Sequence, residues 1–269
     1  YVQKKVPLNK LRADHAVPPA LPASVGGRQA ISTDVKVIGK VCPELNITRC
    51  PVQPGYSIGH VKSPGGTLGA FVKKGRKLLM LSNSHVLAYN GRGKRGDDII
   101  YPCKFDGGAK PADLVGKLED FVQFRAGGDF VNRVDCAIAE PLESRLEDIK
   151  KEIKRLGLPK GTVKPRRGMK IMKFGRTTSK TTGTILDVHF RTTVNYQGVG
   201  AVGFVNQVLC TRYTEGGDSG SLVIDKETGK AVGLHFSGAA AEDGNQGGSI
   251  FNPIDEVLKA LGVKLVTEK

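Results

Sequence analysis

Thr214-Glu215-Gly216-Gly217-Asp218-Ser219-Gly220-Ser221-Leu222-Val223-Ile224 is a glycine-dense turn that carries a hydroxyl and runs straight into an apolar strand. Gly217 and Gly220 permit positive φ and close backbone approach, so the Ser219 hydroxyl can stand clear of the turn while nearby backbone N–H groups converge on one point. Such a point is an oxyanion hole, with the N–H groups of Gly217 and Ser219 as its donors. Taken alone, the same residues also describe a Gly/Ser surface loop. The rest of the chain decides between the two readings.

Upstream, Thr67–Val72 and Lys77–Ser82 read as a hairpin with a basic turn at Lys73–Arg76, and its second strand leads into Leu81-Ser82-Asn83-Ser84-His85-Val86. An apolar strand ending in small polar residues holds an imidazole at the edge of a core. Further on, Val134-Asp135-Cys136-Ala137-Ile138-Ala139 puts a carboxylate at the head of a buried strand; its rival, Asp129 in Gly127-Gly128-Asp129-Phe130, has an exposed, glycine-rich setting. Base, acid and nucleophile follow in the order His, Asp, Ser, 50 and 84 residues apart. Other serine hydrolases place the Ser or the Asp first.

The Gly217–Gly220 GDSG motif, the Ser82–His85 strand end and the Asp135–Ala139 segment together resemble the chymotrypsin/trypsin-like serine peptidases of bacterial type. Gly168–Thr178 followed by Thr182–Ile185 is similar to a strand-turn-strand segment of the same peptidases, so the resemblance runs from about residue 55 to residue 252. It implies an all-β fold of two six-stranded antiparallel β-barrels, with His85, Asp135 and Ser219 as catalytic triad, Gly217 and Ser219 as oxyanion hole, a protein or peptide substrate, and no cofactor or metal. It also implies an S1 pocket (the pocket for the residue preceding the scissile bond) at Tyr213, Thr214, His235, Ser237 and Gly238. Tyr213 stands where an Asp would select Lys or Arg, which disfavours basic residues. Thr214 and His235 resemble the pair with which glutamate-selective members hold a carboxylate, while Tyr213 also fits a pocket for small or apolar side chains. Phe236 departs from the family, where a Ser near this position supports the triad acid. Asp218 reads either as an acceptor shaping its own turn or as the partner of a new N-terminus, for which Val25-Gly26-Gly27 is the candidate. Two further readings use the same residues: a catalytically silent binding or scaffold protein, and an esterase acting on small acyl compounds.

Composition agrees with many short strands: 35 Gly and 14 Pro, 6% aromatics and no Trp. The net charge of +15 raises the possibility of an acidic partner, but Lys and Arg are scattered, and no RNP-type or zinc-finger pattern accompanies them, so no nucleic acid is expected. No stretch approaches a membrane span. The five Cys read as reduced thiols of a cytoplasmic protein, although Cys42 and Cys50 could close a small loop after export. We divide the chain into an N-terminal tether at 1–34, a barrel at 35–140 whose first strand is Val35–Ile38, a helical connector at 141–165, a barrel at 166–252, and a terminal helix and tail at 253–269. The connector helix rests on the stripe Leu142, Leu146, Ile149, Ile153 and Leu156. Asn252 is expected to cap the terminal helix, with Pro253 in its first position. A missing N-terminal domain or an activating partner is compatible with the tether and with a first residue that is not Met.

Overall fold

The computed structural model describes residues 51–239 and 247–267. The tether, the strand expected at Val35–Ile38, Cys42 and Cys50 lie outside the described residues. The chain forms β1 (Ser57–His60), β2 (Gly66–Thr67), β3 (Ala70–Lys74), β4 (Lys77–Ser82), the single turn α1 (Ser84–Leu87), β5 (Asp98–Ile100), β6 (Leu114–Phe121), β7 (Phe130–Asn132) and β8 (Ala137–Pro141). There follow β9 (Lys170–Gly175), β10 (Ser179–Tyr196), β11 (Gly200–Cys210), β12 (Leu222–Asp225), β13 (Ala231–Ala239), β14 (Gly248–Pro253), α2 (Ile254–Leu261) and β15 (Lys264–Leu265).

One sheet runs in the order β15-β3-β4-β8-β6-β5-β1-β2, the other β10-β9-β12-β13-β14-β11-β7. Because β10 also pairs with β11, six strands of the second sheet close into an antiparallel barrel, and β7 adds to it in parallel. The first sheet curls toward closure: the Leu68 N–H bonds to the Tyr56 carbonyl (2.8 Å) and the Gly69 N–H to the Leu81 carbonyl (2.9 Å). Beside that crossing the two sheets are in contact, with the Thr67 N–H bonded to the Ser219 carbonyl (2.7 Å). A Cβ on Gly69 would lie 2.1 Å from the Gly220 carbonyl oxygen, so only glycine lets the first sheet abut the Ser219 turn.

Strand alternation explains why these segments read as unbroken apolar runs rather than as alternating ones. In β3 and β4, Ala70, Val72, Leu79 and Leu81 face a layer shared by both sheets, while Phe71 and Met80 fill the interior of the first. In β12, Leu222 and Ile224 meet the same shared layer and Val223 enters the second barrel. Both faces are buried, so both carry apolar side chains. Helix α2 lays Ile254, Val257 and Leu261 on the shared layer and ends at Gly262 in the left-handed conformation (φ 64°).

Two expectations are corrected. The stripe from Leu142 to Leu156 does not form a connector helix; apart from one 3₁₀ turn at Glu143–Arg145, the segment is irregular. Its backbone groups bond outward to an extended stretch instead: Val52 N–H to Asp148 O, Lys150 N–H to Val52 O, and Lys154 N–H to Pro54 O, each at 3.0 Å. These tertiary bonds replace the i→i−4 ladder. The apolar residues then fall on different sides, with Ile153 2% exposed and Leu146 47%. The second correction concerns Thr182–Asp187 and Val188–Val194, which the sequence pattern reads as two successive strands. They form one strand, β10, bent by register shifts between Ile185 and Thr192.

Arg155 holds φ of 59° within this connector. Arg155→Gly is therefore expected to leave stability unchanged or raise it by up to about 1 kcal/mol in urea denaturation, where a helix interior would lose about 1 kcal/mol.

Candidate active site

Asp135 precedes β8 and is completely buried. A buried carboxylate without donors is costly, and this one draws three of them from two other parts of the chain. The His85 backbone N–H reaches Oδ1 (3.2 Å); His85 Nδ1 (2.5 Å) and the Tyr196 hydroxyl (2.8 Å) reach Oδ2. Its backbone is pinned as well. Asn83 Nδ2 donates to the Asp135 carbonyl (2.7 Å), and the Asp135 N–H donates to Asn252 Oδ1 (3.0 Å). Asn252 is itself oriented by donating to Gln207 Oε1 (2.6 Å), and Gln207 Nε2 donates to the Arg133 carbonyl (2.8 Å). Asn252 is thus not the cap of α2, whose capping position is Pro253; its amide is spent on the acid. Asp129, the rival acid, is exposed ahead of β7.

His85 sits in the single turn α1 at the end of β4, its side chain 19% exposed. An ionised carboxylate only accepts hydrogen bonds, so Nδ1 carries the proton and Nε2 is left as the basic nitrogen. Ser219 lies across the junction of the two sheets. Its carbonyl accepts from the Thr67 N–H (2.7 Å), and the Gly220 N–H bonds to the His235 carbonyl (2.8 Å). Gly220 holds φ of 93°, and a Cβ there would fall 2.1 Å from Ser82 Oγ. The Ser219 hydroxyl donates to the Phe236 carbonyl (3.3 Å) and has no hydrogen bond to His85. The N–H groups of Gly217 and Ser219 have no acceptor among the described residues.

Asp218, beside the nucleophile candidate, is also fully buried and takes a different solution. Oδ2 pairs with Lys173 Nζ of β9 (3.0 Å), itself fully buried, and accepts from Thr178 Oγ1 (2.6 Å) and the Glu215 N–H (3.0 Å). Oδ1 accepts from the N–H groups of Thr177 and Thr178, both at 3.1 Å. Burial works against the charge, but the Thr178 hydroxyl, Lys173 and the backbone donors together hold the carboxyl below its ordinary range. Among the described residues Asp218 has five donors, one of them an internal lysine, as an acceptor shaping its own turn requires; Val25-Gly26-Gly27 lies outside the described residues.

Of the expected pocket residues, Tyr213 is buried in the second barrel, its hydroxyl unpartnered and its ring 6.0 Å from that of His235. Thr214 Oγ1 bonds to Ser249 Oγ (2.6 Å), which also accepts from the Tyr213 N–H (3.1 Å). Ser237 and Gly238 continue β13 as its half-buried and exposed end, paired with Ile250 and Ser249. Residues 240–246, which follow them, are outside the described set. His235 is buried with Nδ1 unpartnered.

Three contributors were not singled out from the sequence: Tyr196, Ser249 and Lys173. Tyr196 and Ser249 stand 61 residues from Asp135 and 35 from Thr214. No local motif marks either. Lys173 had a weak signal, as a lysine inside an otherwise apolar strand.

No protein-family model matches the chain. Over 98 residues, 36% of the chain, it is 37% identical to Serine protease 1 of Streptomyces fradiae, and this match spans a quarter (25%) of that relative's length. Among solved structures, Protease A of Thermobifida fusca superposes with a TM-score of 0.57 at 18% identity, covering 81% of this chain and 99% of that one. A glutamic acid specific serine protease, described as using a histidine triad in substrate binding, superposes with a TM-score of 0.57 at 23% identity, covering 80% and 100%.

Burial lowers the His235 imidazole to about 3, so the folded chain keeps it neutral while the unfolded chain protonates near the usual value of about 6.5. Its contribution is complete above about pH 6.5, erodes as the pH falls, and is lost below about 3. In urea denaturation, the wild type is expected to lose about 1 kcal/mol per pH unit more than His235→Leu between about pH 6.5 and 4.5, above the range where Asp218 titrates.

Proposed function

From a chain with the fold of the bacterial chymotrypsin-like serine proteases, we propose a serine endopeptidase that cleaves peptide bonds through His85, Asp135 and Ser219. The observation that carries this reading is the 2.5 Å contact of His85 Nδ1 with a fully buried Asp135, on the same seam as a glycine-bounded serine beside two unpaired N–H groups. In this mechanism the Ser219 hydroxyl turns from the Phe236 carbonyl toward His85 Nε2, as apo sites of this kind require on substrate binding. Ser219 Oγ attacks the carbonyl carbon, and its proton passes to Nε2. Asp135 stabilises the imidazolium without taking its proton. The new oxyanion accepts hydrogen bonds from Gly217 N–H and Ser219 N–H, each donor typically worth about 10²–10³ in rate. His85 then protonates the leaving amine, and water, activated by the same base, releases the acyl group.

For the S1 pocket we propose His235, Thr214, Ser237 and Gly238 as lining, backed by Tyr213. Lys or Arg would find no carboxylate among these residues. Two features favour an acidic side chain over a small apolar one. His235 has a ring nitrogen without a partner, and the Thr214 hydroxyl, coupled to Ser249, can donate toward a substrate oxygen. The neutral imidazole donates through its N–H, and a bound carboxylate would raise its proton affinity. The glutamic acid specificity of the structural relative supports the same assignment. A dedicated protein substrate is compatible with this pocket.

Fluorogenic peptides varied at the residue before the scissile bond test both levels. The wild type is expected to cleave after Glu at least about tenfold faster than after Lys, and Ser219→Ala to lose about 10⁴–10⁶ in kcat. Equal turnover by Ser219→Ala would refute the triad. Preferred cleavage after Ala or Leu would refute the acidic pocket and leave the triad standing.

A further inference from the structure

A hydroxyl supports the proposed triad acid, and it comes from the far end of the longest hairpin in the described structure. Phe236 stands on β13 where a supporting serine is expected, and its side chain is buried in an aromatic cluster with Phe124, Tyr196 and Phe204. The donor found instead is Tyr196, the last residue of the 18-residue strand β10. Its ring stacks on Phe124 (4.6 Å between centroids), lies 5.8 Å from the His85 ring, and is 7% exposed. The next residue ties the hairpin tip to the first sheet's side of the site, where Asn90 Nδ2 donates to the Gln197 carbonyl (3.0 Å). Tyr196 is therefore held from both sides.

We propose that Tyr196 is a positioning residue for the triad: its phenolic O–H locks Asp135 Oδ2 toward His85 and, by sharing that oxygen, tempers the basicity of the imidazole. The proposal rests on the triad reading above. Two donors meet on one carboxylate oxygen, Nδ1–H at 2.5 Å and the phenol at 2.8 Å. The phenol draws off part of the negative charge that would otherwise stabilise His85 as a cation. Burial, reinforced by the adjacent carboxylate, pushes the phenol well above its usual range, so it remains a donor at every working pH. Among the described residues, Cys136, whose thiol burial pushes up, interacts electrostatically with Asp135, and His235, whose ring burial keeps neutral, with His85. Neither supplies a charge that could substitute.

Removing the hydroxyl while keeping the ring should have two effects of different kind. The carboxylate regains its full charge toward the imidazole, so the His85 proton affinity rises; it also loses a geometric restraint, so turnover falls. Tyr196→Phe is read first by NMR titration of the His85 ring in the Ser219→Ala background, which needs no turnover. The apparent pKa is expected to rise by about 0.5–1 pH unit. In the active chain, kcat is expected to fall about 5- to 20-fold with KM within about twofold, as for an interaction expressed in the transition state. Phe124→Leu, which loosens the stack and leaves the hydroxyl, is expected to lower the melting temperature and leave the His85 titration in place. A His85 titration unmoved by Tyr196→Phe overturns the proposal, whatever happens to kcat, because loss of packing alone explains a slower enzyme. Absence of turnover in the wild-type chain would count against the peptidase reading, and the titration would still decide the role of Tyr196.

Discussion

Asp135 and Asp218 are both carboxylates with no exposed surface, and the architecture of the candidate site follows from how each is compensated. Burying an ionised carboxylate is costly unless donors are fixed around it. Asp218 has a lysine, a hydroxyl and three backbone N–H groups. Its charge is balanced by Lys173 of β9, and the turn is tied to that strand as a result. Among the described residues Asp135 has no lysine or arginine; its donors are one imidazole, one phenol and one backbone N–H. Of these donors, the one able to become a cation is His85. In the proposed mechanism the charge of Asp135 is thus directed at the group that gains a proton during acyl transfer.

The remaining framework supports that asymmetry. The chain of amides from Gln207 through Asn252 to the Asp135 N–H fixes the acid from the second sheet, while Asn83 fixes its carbonyl from the end of β4. The two sheets meet at Gly69 and Gly220, and the contact tolerates no side chain there. His85 follows β4 of the first sheet and Ser219 precedes β12 of the second, and the contact at Gly69 and Gly220 brings those two strand ends together. The candidate specificity residues sit farther along the second sheet, where Thr214 and His235 combine polar atoms with burial.

What could be read in the sequence was what short range encodes. Strand alternation, the hairpin of β3 and β4, the terminal helix and the three motifs carrying His85, Asp135 and Ser219 are each local patterns, and the all-β double-sheet architecture follows from them. What escaped depended on tertiary competition. The stripe from Leu142 to Leu156 has helical period, but Val52 and Pro54 offer its backbone other partners. Asn252 has the composition of a helix cap and is used instead to hold a residue 117 positions away. Tyr196 belongs to no motif at all, because its role arises only where a hairpin tip folds back over the acid. The Phe236 departure did indicate that support for Asp135 either comes from elsewhere or is weaker, without saying which.

The central claim is that these groups make Ser219 a nucleophile of unusual reactivity among the chain's hydroxyls. Labelling the wild-type protein with a fluorophosphonate, locating the adduct by peptide mass spectrometry, and repeating the reaction with His85→Ala tests it directly. The account predicts a single adduct on Ser219 that the His85 variant fails to form. An unlabelled wild-type chain, or labelling of Ser219 at the same rate without the imidazole, would contradict it.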